Sequence, residues 1–419
     1  MPRLLADLTP LRTIPAYRRL WTGLGIGNVG QQMSAVAVGL QVYDITHSSF
    51  MVGLVGLFQL VPLIGFGLYG GTLSDAYDRR YVGIASSIGL WVCSLALVGQ
   101  SFLHLASVGV LYAIIAVQSS FFAVGTPARQ SIIPRLVPEH LLPAANALGS
   151  MTWSLGFSLG PLLGGAIIAV TGGVAAAYVV DAVAYGVMVW AMWRLPSLPP
   201  LLGKDGQRPK AGWSAVRDGL VFLRDKRNLT MTFYLDLVAM VFGMPRSLFP
   251  AIATSWFGGT TAQTALVLGL LSGAAAIGAF ASSVFSGPLG AVRYQGRAIF
   301  IAILAWGAFI TAFGFSRWLP LSVLLLALAG AADNVSAVFR TTILQAATPD
   351  EFRGRLQGVF TVVVAGGPRL GDAEAGAVAG LFGEMASVVS GGLACIAASI
   401  GLIRWRREFW QYDARHPVG

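Results

Sequence analysis

The 419-residue sequence has few charged residues, few cysteines and few histidines. Charged residues make up 11% of it, where soluble proteins average about 25%, so the composition excludes disorder and argues against a soluble enzyme. Both cysteines, Cys93 and Cys395, lie in apolar stretches without a CxxC pattern, which indicates neither a disulfide framework nor a metal site. The sequence has no Walker A, HExxH or GxSxG motif, so it favours neither an ATP-driven pump nor a membrane enzyme, and it indicates no cofactor.

Apolar sequence is what the chain has in abundance, with 55% hydrophobic residues and a mean hydropathy of +0.71. Its apolar runs are long enough for membrane helices, which need about 20 residues each. We place spans at 20–43, 50–73, 81–101, 106–126, 144–170, 175–193, 229–252, 263–286, 297–315, 319–339, 356–380 and 386–404. The sequence therefore predicts an all-α membrane protein with 12 transmembrane helices in two pseudo-symmetric six-helix bundles. Residues 1–193 form the first bundle, 194–228 a cytoplasmic linker, and 229–419 the second bundle with a cytoplasmic tail.

The basic residues predict the orientation of the chain. A net charge of +10 would suggest nucleic acid as the partner of a soluble domain, but 25 of the 28 Lys and Arg fall in the first segment, alternate loops, the linker and the tail. Arg129 and Arg340 are counted among the loop residues, whereas Arg246 and Arg369 fall within spans. The positive-inside rule then places both termini in the cytoplasm and the chain in the plasma (inner) membrane, surrounded by lipid. We expect a monomer without a nucleic-acid partner.

The two halves of the chain are related in sequence. The segment RQSIIPRLVPEHLLPAANA, which begins at Arg129, matches RTTILQAATPDEFRGRLQG, which begins at Arg340, 211 residues later. In the same way GPLLGG at 160–165 in span 5 matches GPRLGD at 367–372 in span 11. Parallel repeats of six spans are typical of alternating-access carriers, which bind their substrate near the membrane midplane.

A motif after span 2 resembles the loop signature of the major facilitator superfamily, G-x-L-x-D-R-x-G-R-R/K. The matching residues are Gly71, Leu73, Asp75, Arg79 and Arg80, while Ala76 and Asp78 stand where the family has Arg and Gly. A glycine permits close helix contact, and a carboxylate at a helix end can meet a helix N-terminus or a basic partner. In the family this motif steadies the outward-facing state. A solvated turn with a topogenic arginine pair is the alternative.

Span 5 carries a second motif, which looks like the G-x-x-x-G-P-x-x-G-G pattern of exporters in this superfamily. The matching residues are Gly156, Gly160, Pro161, Gly164 and Gly165. Glycines four residues apart let helix backbones approach closely, and a proline bends the helix. The segments 121–137, 236–250 and 330–372 resemble the branch that contains siderophore exporters and related drug and macrolide pumps.

This resemblance implies a secondary-active exporter, which would move a catecholate siderophore or similar amphipathic small molecule by alternating access in exchange for protons. A broad-specificity multidrug or macrolide efflux pump of the same fold is the alternative. The arginine that many drug–proton antiporters carry in span 4 is absent here, where Gln118 is the central polar residue. Proton coupling therefore cannot be transferred from that arginine.

Ionisable residues within spans are costly and are default functional candidates. We expect the proton to be carried by at least one of Asp181, Asp372 and Glu374, because the histidines lie outside the central spans. Arg246 and Arg369 are interpreted as a positive pole for an anionic substrate. In the alternative each is held in a structural ion pair, and Asp372 lies three residues after Arg369, close enough on a helix to pair with it.

Uncharged residues complete the candidate substrate site. Gln31 and Gln32 in span 1 are candidate hydrogen-bond donors to the substrate, although helix packing explains them equally well. Soft and aromatic side chains on spans 5 and 7 suit a bulky amphipathic ligand, and these are Trp153, Phe157, Met240, Phe242, Met244 and Phe249. Asp236 and Asp333, near the cytoplasmic ends of spans 7 and 10, are expected to have structural roles.

Overall fold

The computed structural model describes residues 7–198, 221, 223, 224, 226–284, 292–347 and 350–413, without the side chains of 68–72, 74–76, 139, 143, 147, 345 and 350–362. Over these residues the regular structure is helical apart from one isolated β-bridge between Tyr294 and Asp413. The long helices are α1 Pro15–Thr46, α2 Ser49–Ala76, α3 Arg79–Phe102, α4 Val108–Leu136, α5 Leu142–Thr171, α6 Ala175–Trp193, α7 Arg227–Phe242, α8 Thr261–Val284, α9 Gln295–Phe315, α10 Leu319–Ala347, α11 Asp350–Phe382 and α12 Glu384–Trp405. Most of the expected linker lies outside the described residues.

Ten helical segments in the described residues are long and apolar enough to cross a membrane. The other two long helices, α1 and α11, have 32 and 33 residues, so their length suffices for a bilayer. They are more polar than the rest because α1 carries Gln31 and Gln32, and α11 carries Arg369, Asp372 and Glu374. The helix count agrees with the predicted spans, and the all-α membrane class is confirmed.

The chain divides into two compact units. The first comprises Met1–Gln41 and Phe58–Gly212, and the second comprises Val42–Leu57 and Trp213–Gly419. The first turns of α2 thus belong with the second unit, where two glycines of α2 meet the backbone of α11. A Cβ atom on Gly53 would lie 2.6 Å from the carbonyl oxygen of Asp372, and one on Gly56 would lie 2.5 Å from that of Arg369. Larger residues would push these helices apart.

In the first unit, Asp78 organises the start of α3. Its carboxylate accepts hydrogen bonds from the backbone N–H of Arg80 at 2.9 Å, the hydroxyl of Ser197 at 2.6 Å and the backbone N–H of Leu198 at 3.1 Å. Burial raises the pKa of Asp78, but these hydrogen bonds and the charge of Arg80 lower it by more, so its pKa lies below the ordinary value. Asp78 therefore caps α3 and holds the residues that follow α6.

In the second unit, the seventh span is broken, whereas the sequence predicts one continuous span over 229–252. Helix α7 ends at Phe242, a 3₁₀ turn covers Arg246–Leu248, and a short helix covers Phe249–Ser255. Pro245 and Pro250 explain the break, because proline lacks the N–H that a continuous helix needs. Arg246 lies within the seventh span, which covers Arg227–Ser255, but it begins the 3₁₀ turn in the break and is not part of a regular α-helix.

Candidate functional site

A charged cluster lies in the second unit where the break after α7 meets the bend region of α11. Nη2 of Arg246 forms an ion pair with Oδ2 of Asp372 at 3.5 Å. Arg369 is one turn earlier on α11, immediately after Pro368, and its guanidinium donates to the carbonyl oxygen of Ala365 on its own helix. Two arginines thus accompany one aspartate, so the cluster carries a net positive charge when all three residues are ionised.

The alternative in which Arg369 pairs with Asp372 does not match the ion pairs of the described residues. Asp372 forms its ion pair with Arg246, from a different segment, and Nε of Arg369 has no hydrogen-bond partner among the described residues. The break after α7 explains the difference, because it releases Arg246 from a regular helix and lets its side chain reach α11. Sequence spacing alone favours the neighbour three residues away on the same helix.

The cluster is held firmly but remains open to solvent on one side. The hydroxyl of Ser247 donates to the carbonyl oxygen of Asp372 at 2.8 Å, which fixes the 3₁₀ turn against α11. The Arg246 side chain is 41% exposed, whereas that of Asp372 is 19% exposed. The Arg246 guanidinium is therefore the more accessible partner of this ion pair.

A second candidate site surrounds Asp181 in the first unit. Asp181 lies on α6 and is fully buried, and its Oδ2 accepts a hydrogen bond from the hydroxyl of Ser94 on α3 at 2.7 Å. The Ser34 side chain of α1 also faces this carboxylate. No ion pair to Asp181 is found among the described residues. A buried carboxylate is costly unless it is paired or holds a proton, so this position suits reversible protonation.

The other two candidate proton carriers lie on α11 and have different surroundings. Asp372 is neutralised by Arg246, whereas Glu374 is half-buried and has no ion pair within the part of the chain that the structure describes. Of the three candidates, Asp181 is the one that combines full burial with the absence of a cation.

Arg129 and Arg340, expected in loops, lie buried inside α4 and α10 instead. The loop assignment is wrong because both helices extend beyond the apolar runs, which end where the arginines begin. The Arg340 guanidinium forms ion pairs with Asp236 at 2.9 Å and with Asp333 at 3.5 Å. Asp236 is also buried, so its expected structural role at the end of a span becomes a role in a buried ion pair.

The two repeats treat this arginine differently. The offset of 211 residues that relates Arg129 to Arg340 also relates Phe122 to Asp333. The Arg129 guanidinium lies 5.8 Å from the centre of the Phe122 ring and donates to the hydroxyl of Thr126 at 3.2 Å, while its Nη1 has no hydrogen-bond partner among the described residues. A carboxylate therefore neutralises the arginine in the second unit, and an aromatic ring takes that position in the first.

The exporter-type glycines of α5 lie against α1. A Cβ atom on Gly160 would lie 3.0 Å from the carbonyl oxygen of Val29, and one on Gly164 would lie 3.1 Å from the Cα atom of Met33. Gly156 faces the side chain of Asn28. Pro161 and Gly165 are buried within the same helix. The motif residues therefore permit a close helix pair in the first unit.

Part of the loop motif can be located. The surroundings of Gly71 and of the Asp75 side chain lie outside what the structure describes, and Leu73 is half-buried. A guanidinium nitrogen of Arg79 donates to the carbonyl oxygen of Ser131 at 3.2 Å, and one of Arg80 donates to that of Trp193 at 2.6 Å. The arginine pair thus ties α3 to the ends of α4 and α6.

The uncharged candidates have two kinds of environment. Met240 and Phe249 are buried, and Phe249 packs edge-on against Phe313 with ring centres 6.2 Å apart, so both contribute to packing. Trp153 is 52% exposed and lies 5.0 Å from the Phe157 ring, measured between ring centres. The remaining candidates are half-buried, and these are Gln31, Gln32, Phe242 and Met244.

Sequence reasoning missed several polar side chains that the structure places around Asp181. Ser34 and Ser94 are buried beside it, and Tyr178 and Gln100 are buried one or two turns away on α6 and α3. The available signal was the presence of polar residues within otherwise apolar spans, which burial in a membrane makes expensive.

Known transporters share this fold. The crystal structure of the nucleoside transporter NupG has a TM-score of 0.70, with 13% identity, over 95% of this chain and 99% of that one. The chain is 28% identical to the enterobactin exporter EntS of Citrobacter koseri over 418 residues, 99% of this chain and 97% of that protein. It is 29% identical to EntS of Shigella boydii over 403 residues, 95% of this chain and 94% of that protein. The profile of the family described as transmembrane secretion effector matches residues 5–417, so the chain belongs to this family of multi-pass transporters in the major facilitator superfamily.

Proposed function

We propose that this protein exports an anionic, amphipathic small molecule of the siderophore type by alternating access across the plasma (inner) membrane, with both termini in the cytoplasm. The near full-length similarity to enterobactin exporters supports this substrate class. The observation that carries the proposal is the cluster of Arg246, Arg369 and Asp372, in which two cations accompany one anion.

The chemistry of the cluster suits an acidic ligand. Guanidinium groups donate several hydrogen bonds in a fixed plane, which matches carboxylate and catecholate oxygens. Because Arg246 is partly exposed, a ligand anion can bind it while Asp372 stays in place. The excess charge then attracts anions and repels lipophilic cations, so the cluster selects by charge.

Transport by purified protein in proteoliposomes tests the proposal. We expect accumulation of enterobactin, and little accumulation of a lipophilic cation such as tetraphenylphosphonium. Liposomes that contain Arg246→Gln provide the comparison, because this change removes the exposed cation of the cluster. Transport of the cation with equal or greater efficiency than that of enterobactin would show that the charge assignment is wrong.

We further propose that export is coupled to protons through at least one of Asp181, Asp372 and Glu374. The burial of Asp181 without a cation favours it over the other two. The variants Asp181→Asn, Asp372→Asn and Glu374→Gln are each assayed with and without an imposed pH gradient. We expect Asp181→Asn to lose stimulation by the gradient while it retains substrate exchange. Gradient-driven export by all three variants would place the proton carrier elsewhere or indicate another coupling ion.

A broad drug efflux pump is the second candidate, and one observation favours it. The Trp153 and Phe157 rings form a partly exposed aromatic pair on α5, a surface that suits flat hydrophobic compounds. In the same liposomes, Trp153→Ala distinguishes the two candidates. A drug pump loses drug transport in this variant, whereas a siderophore exporter that depends on the arginine cluster retains charge selectivity.

A further inference from the structure

A chain of buried polar side chains extends from the region of Asp181 toward one end of the first unit. The Tyr178 hydroxyl, one turn from Asp181 on α6, donates to Oε1 of Gln41 on α1 at 2.7 Å. The side-chain amides of Gln41 and Gln100 bond to each other reciprocally, at 3.1 and 3.0 Å. Helix α3 ends near Gln100, and helix α6 begins near Tyr178. The basic residues of the sequence predict that this end faces the outside.

These groups are too deeply buried to be incidental surface polarity. Tyr178 is fully buried, and Gln100 is 3% exposed. Buried hydroxyl and amide groups cost free energy unless they are hydrogen-bonded, and this set satisfies its members internally. An apolar set would pack the same three helices without that requirement. This chain of polar side chains therefore indicates a function besides packing.

The carboxylate at the inner end of the chain has one oxygen available. Oδ2 of Asp181 accepts from Ser94, whereas Oδ1 lacks a well-aligned hydrogen-bond partner among the described residues. Opposite this oxygen α1 has Gly30, and a Cβ atom there would lie 3.0 Å from Oδ1. The glycine thus lets α1 pack closely against α6 at the oxygen that has no donor, where a larger side chain would collide with Asp181. Tyr178 and Asp181 lie three residues apart, which places both side chains on one face of α6.

We propose that protons reach and leave Asp181 through Tyr178, with the paired amides of Gln41 and Gln100 as the entry from the end of the bundle. This inference rests on the proposed role of Asp181 in proton coupling. In the inward step, a hydronium ion beside the amides gives a proton to the Tyr178 oxygen and becomes water, and the hydroxyl turns from Gln41 and gives its own proton to Asp181. One O–H bond forms and one breaks at each transfer, so a single proton moves from hydronium to the carboxylate.

The other ionisable groups near Asp181 lie away from this entry. Tyr185 is one turn further along α6 and is within electrostatic range of Asp181, Arg129 and Cys93. Cys93 and Tyr185 are buried, and Arg129 belongs to the later part of α4. None of the hydrogen bonds found among the described residues joins these groups to the Gln41–Gln100 pair. The proposed route therefore depends on Tyr178.

Infrared spectroscopy of the full-length protein in liposomes tests the route without a substrate. The carboxyl C=O band that is absent from Asp181→Asn reports protonated Asp181, and its shift in D₂O gives the rate of proton exchange. We expect exchange to be about tenfold slower in Tyr178→Phe. Tyr17→Phe is the matched control, because Tyr17 is a buried tyrosine of the same unit whose hydroxyl donates to the carbonyl oxygen of Ala145 at 2.8 Å.

The possible outcomes separate the route from the coupling proposal. The route is overturned if the band exchanges at the wild-type rate in Tyr178→Phe. It is also overturned if exchange in Tyr17→Phe is as slow as in Tyr178→Phe. Either result leaves Asp181 as the proton site. The absence of any Asp181 band between acidic and neutral pH overturns Asp181 as the proton site and the route with it, and leaves Asp372 and Glu374 as candidates for coupling. If Tyr178→Phe does not fold, Gln41→Met, which removes the acceptor of the tyrosine hydroxyl, is expected to slow exchange in the same way.

Discussion

Arg369→Gln should remove substrate selectivity without destabilising the protein. The Arg369 guanidinium donates to a carbonyl oxygen of its own helix, while Asp372 keeps its ion pair with Arg246. Substitution by glutamine therefore breaks no ion pair and removes one of two like charges. We expect the thermal stability to stay the same or to rise, because the substitution removes an incompletely hydrogen-bonded guanidinium from the protein interior.

The expected loss of substrate affinity follows from the charge of the cluster. A guanidinium about 4 Å from a ligand anion contributes about 1 kcal/mol in water and about 4 kcal/mol at an effective dielectric constant of about 20. Arg369 is half-buried and the neighbouring Arg246 is 41% exposed, so the lower part of this range applies. We therefore expect about a tenfold loss of affinity for enterobactin, equal to about 1.4 kcal/mol. Affinity for a lipophilic cation should not fall.

Calorimetric titration of the purified protein with enterobactin and with tetraphenylphosphonium measures both affinities, and thermal unfolding measures stability. Arg293→Gln is the matched control, because Arg293 belongs to the same unit but pairs with Asp413 at 2.7 Å. In the double variant Arg369→Gln/Asp372→Asn, Arg246 again supplies an uncompensated charge, so affinity for enterobactin should recover in part. The reasoning is refuted if Arg369→Gln is destabilised, the double variant restores stability, and the preference for anions is unchanged throughout.

Three further substitutions test the structural elements around these sites. Asp78→Ala should lower the stability by about 1–2 kcal/mol at neutral pH through loss of the helix cap. Because the pKa of Asp78 is depressed in the folded protein, the stability difference between variant and wild type should shrink as the pH falls below about 4. Thermal unfolding of both proteins from pH 7 to pH 3 measures this difference. Gly160→Leu should disrupt the α1–α5 contact and lower both stability and transport, whereas Gly149→Ala, with open space around it, should be tolerated in the same assays. Asp75→Asn should slow turnover in liposomes and leave substrate affinity unchanged, as the family motif implies, and unchanged turnover would contradict this.

The sequence predicts the class of this protein well because the membrane imposes strong rules. Apolar runs of sufficient length identify the spans, and the repeat of Arg129 at Arg340 identifies the two halves. These rules predict less where the local backbone geometry determines which side chains meet. The break after α7 depends on two prolines within an apolar run, and it alone allows Arg246 to reach Asp372. A pattern of hydropathy contains no information about such long-range pairs.

The ends of helices and the partners of hydrogen bonds also could not be predicted from the sequence. Charged residues at the end of an apolar run usually mark a loop, but α4 and α10 continue past Arg129 and Arg340 and bury them. Asp78 departs from the family motif, and nothing in the linear sequence indicates that Ser197 and Leu198 would bind its carboxylate. Both cases depend on contacts between residues far apart in the chain.

The repeat-related arginines allow a direct comparison of a paired and an unpaired buried charge. Arg340→Met leaves the carboxylate of Asp236, which is 2% exposed, without the cation 2.9 Å away, and loss of one partner of a buried pair costs about 3–5 kcal/mol. Arg129→Met leaves no paired carboxylate behind among the described residues, where the Phe122 ring stands at the position of Asp333 in the other repeat, and it removes a nitrogen without a hydrogen-bond partner there.

We therefore expect Arg340→Met to unfold at a markedly lower temperature than the wild type and Arg129→Met to differ from it little. Thermal unfolding of the purified variants in one detergent measures both changes under matched conditions. Adding Asp236→Asn to Arg340→Met should recover much of the lost stability, since the amide needs no cation. Equal destabilisation by the two arginine substitutions would show instead that packing of the long side chains, and not their charge, determines the cost. The two halves would then use this arginine in the same way, despite the carboxylates of Asp236 and Asp333 beside Arg340 in the second half.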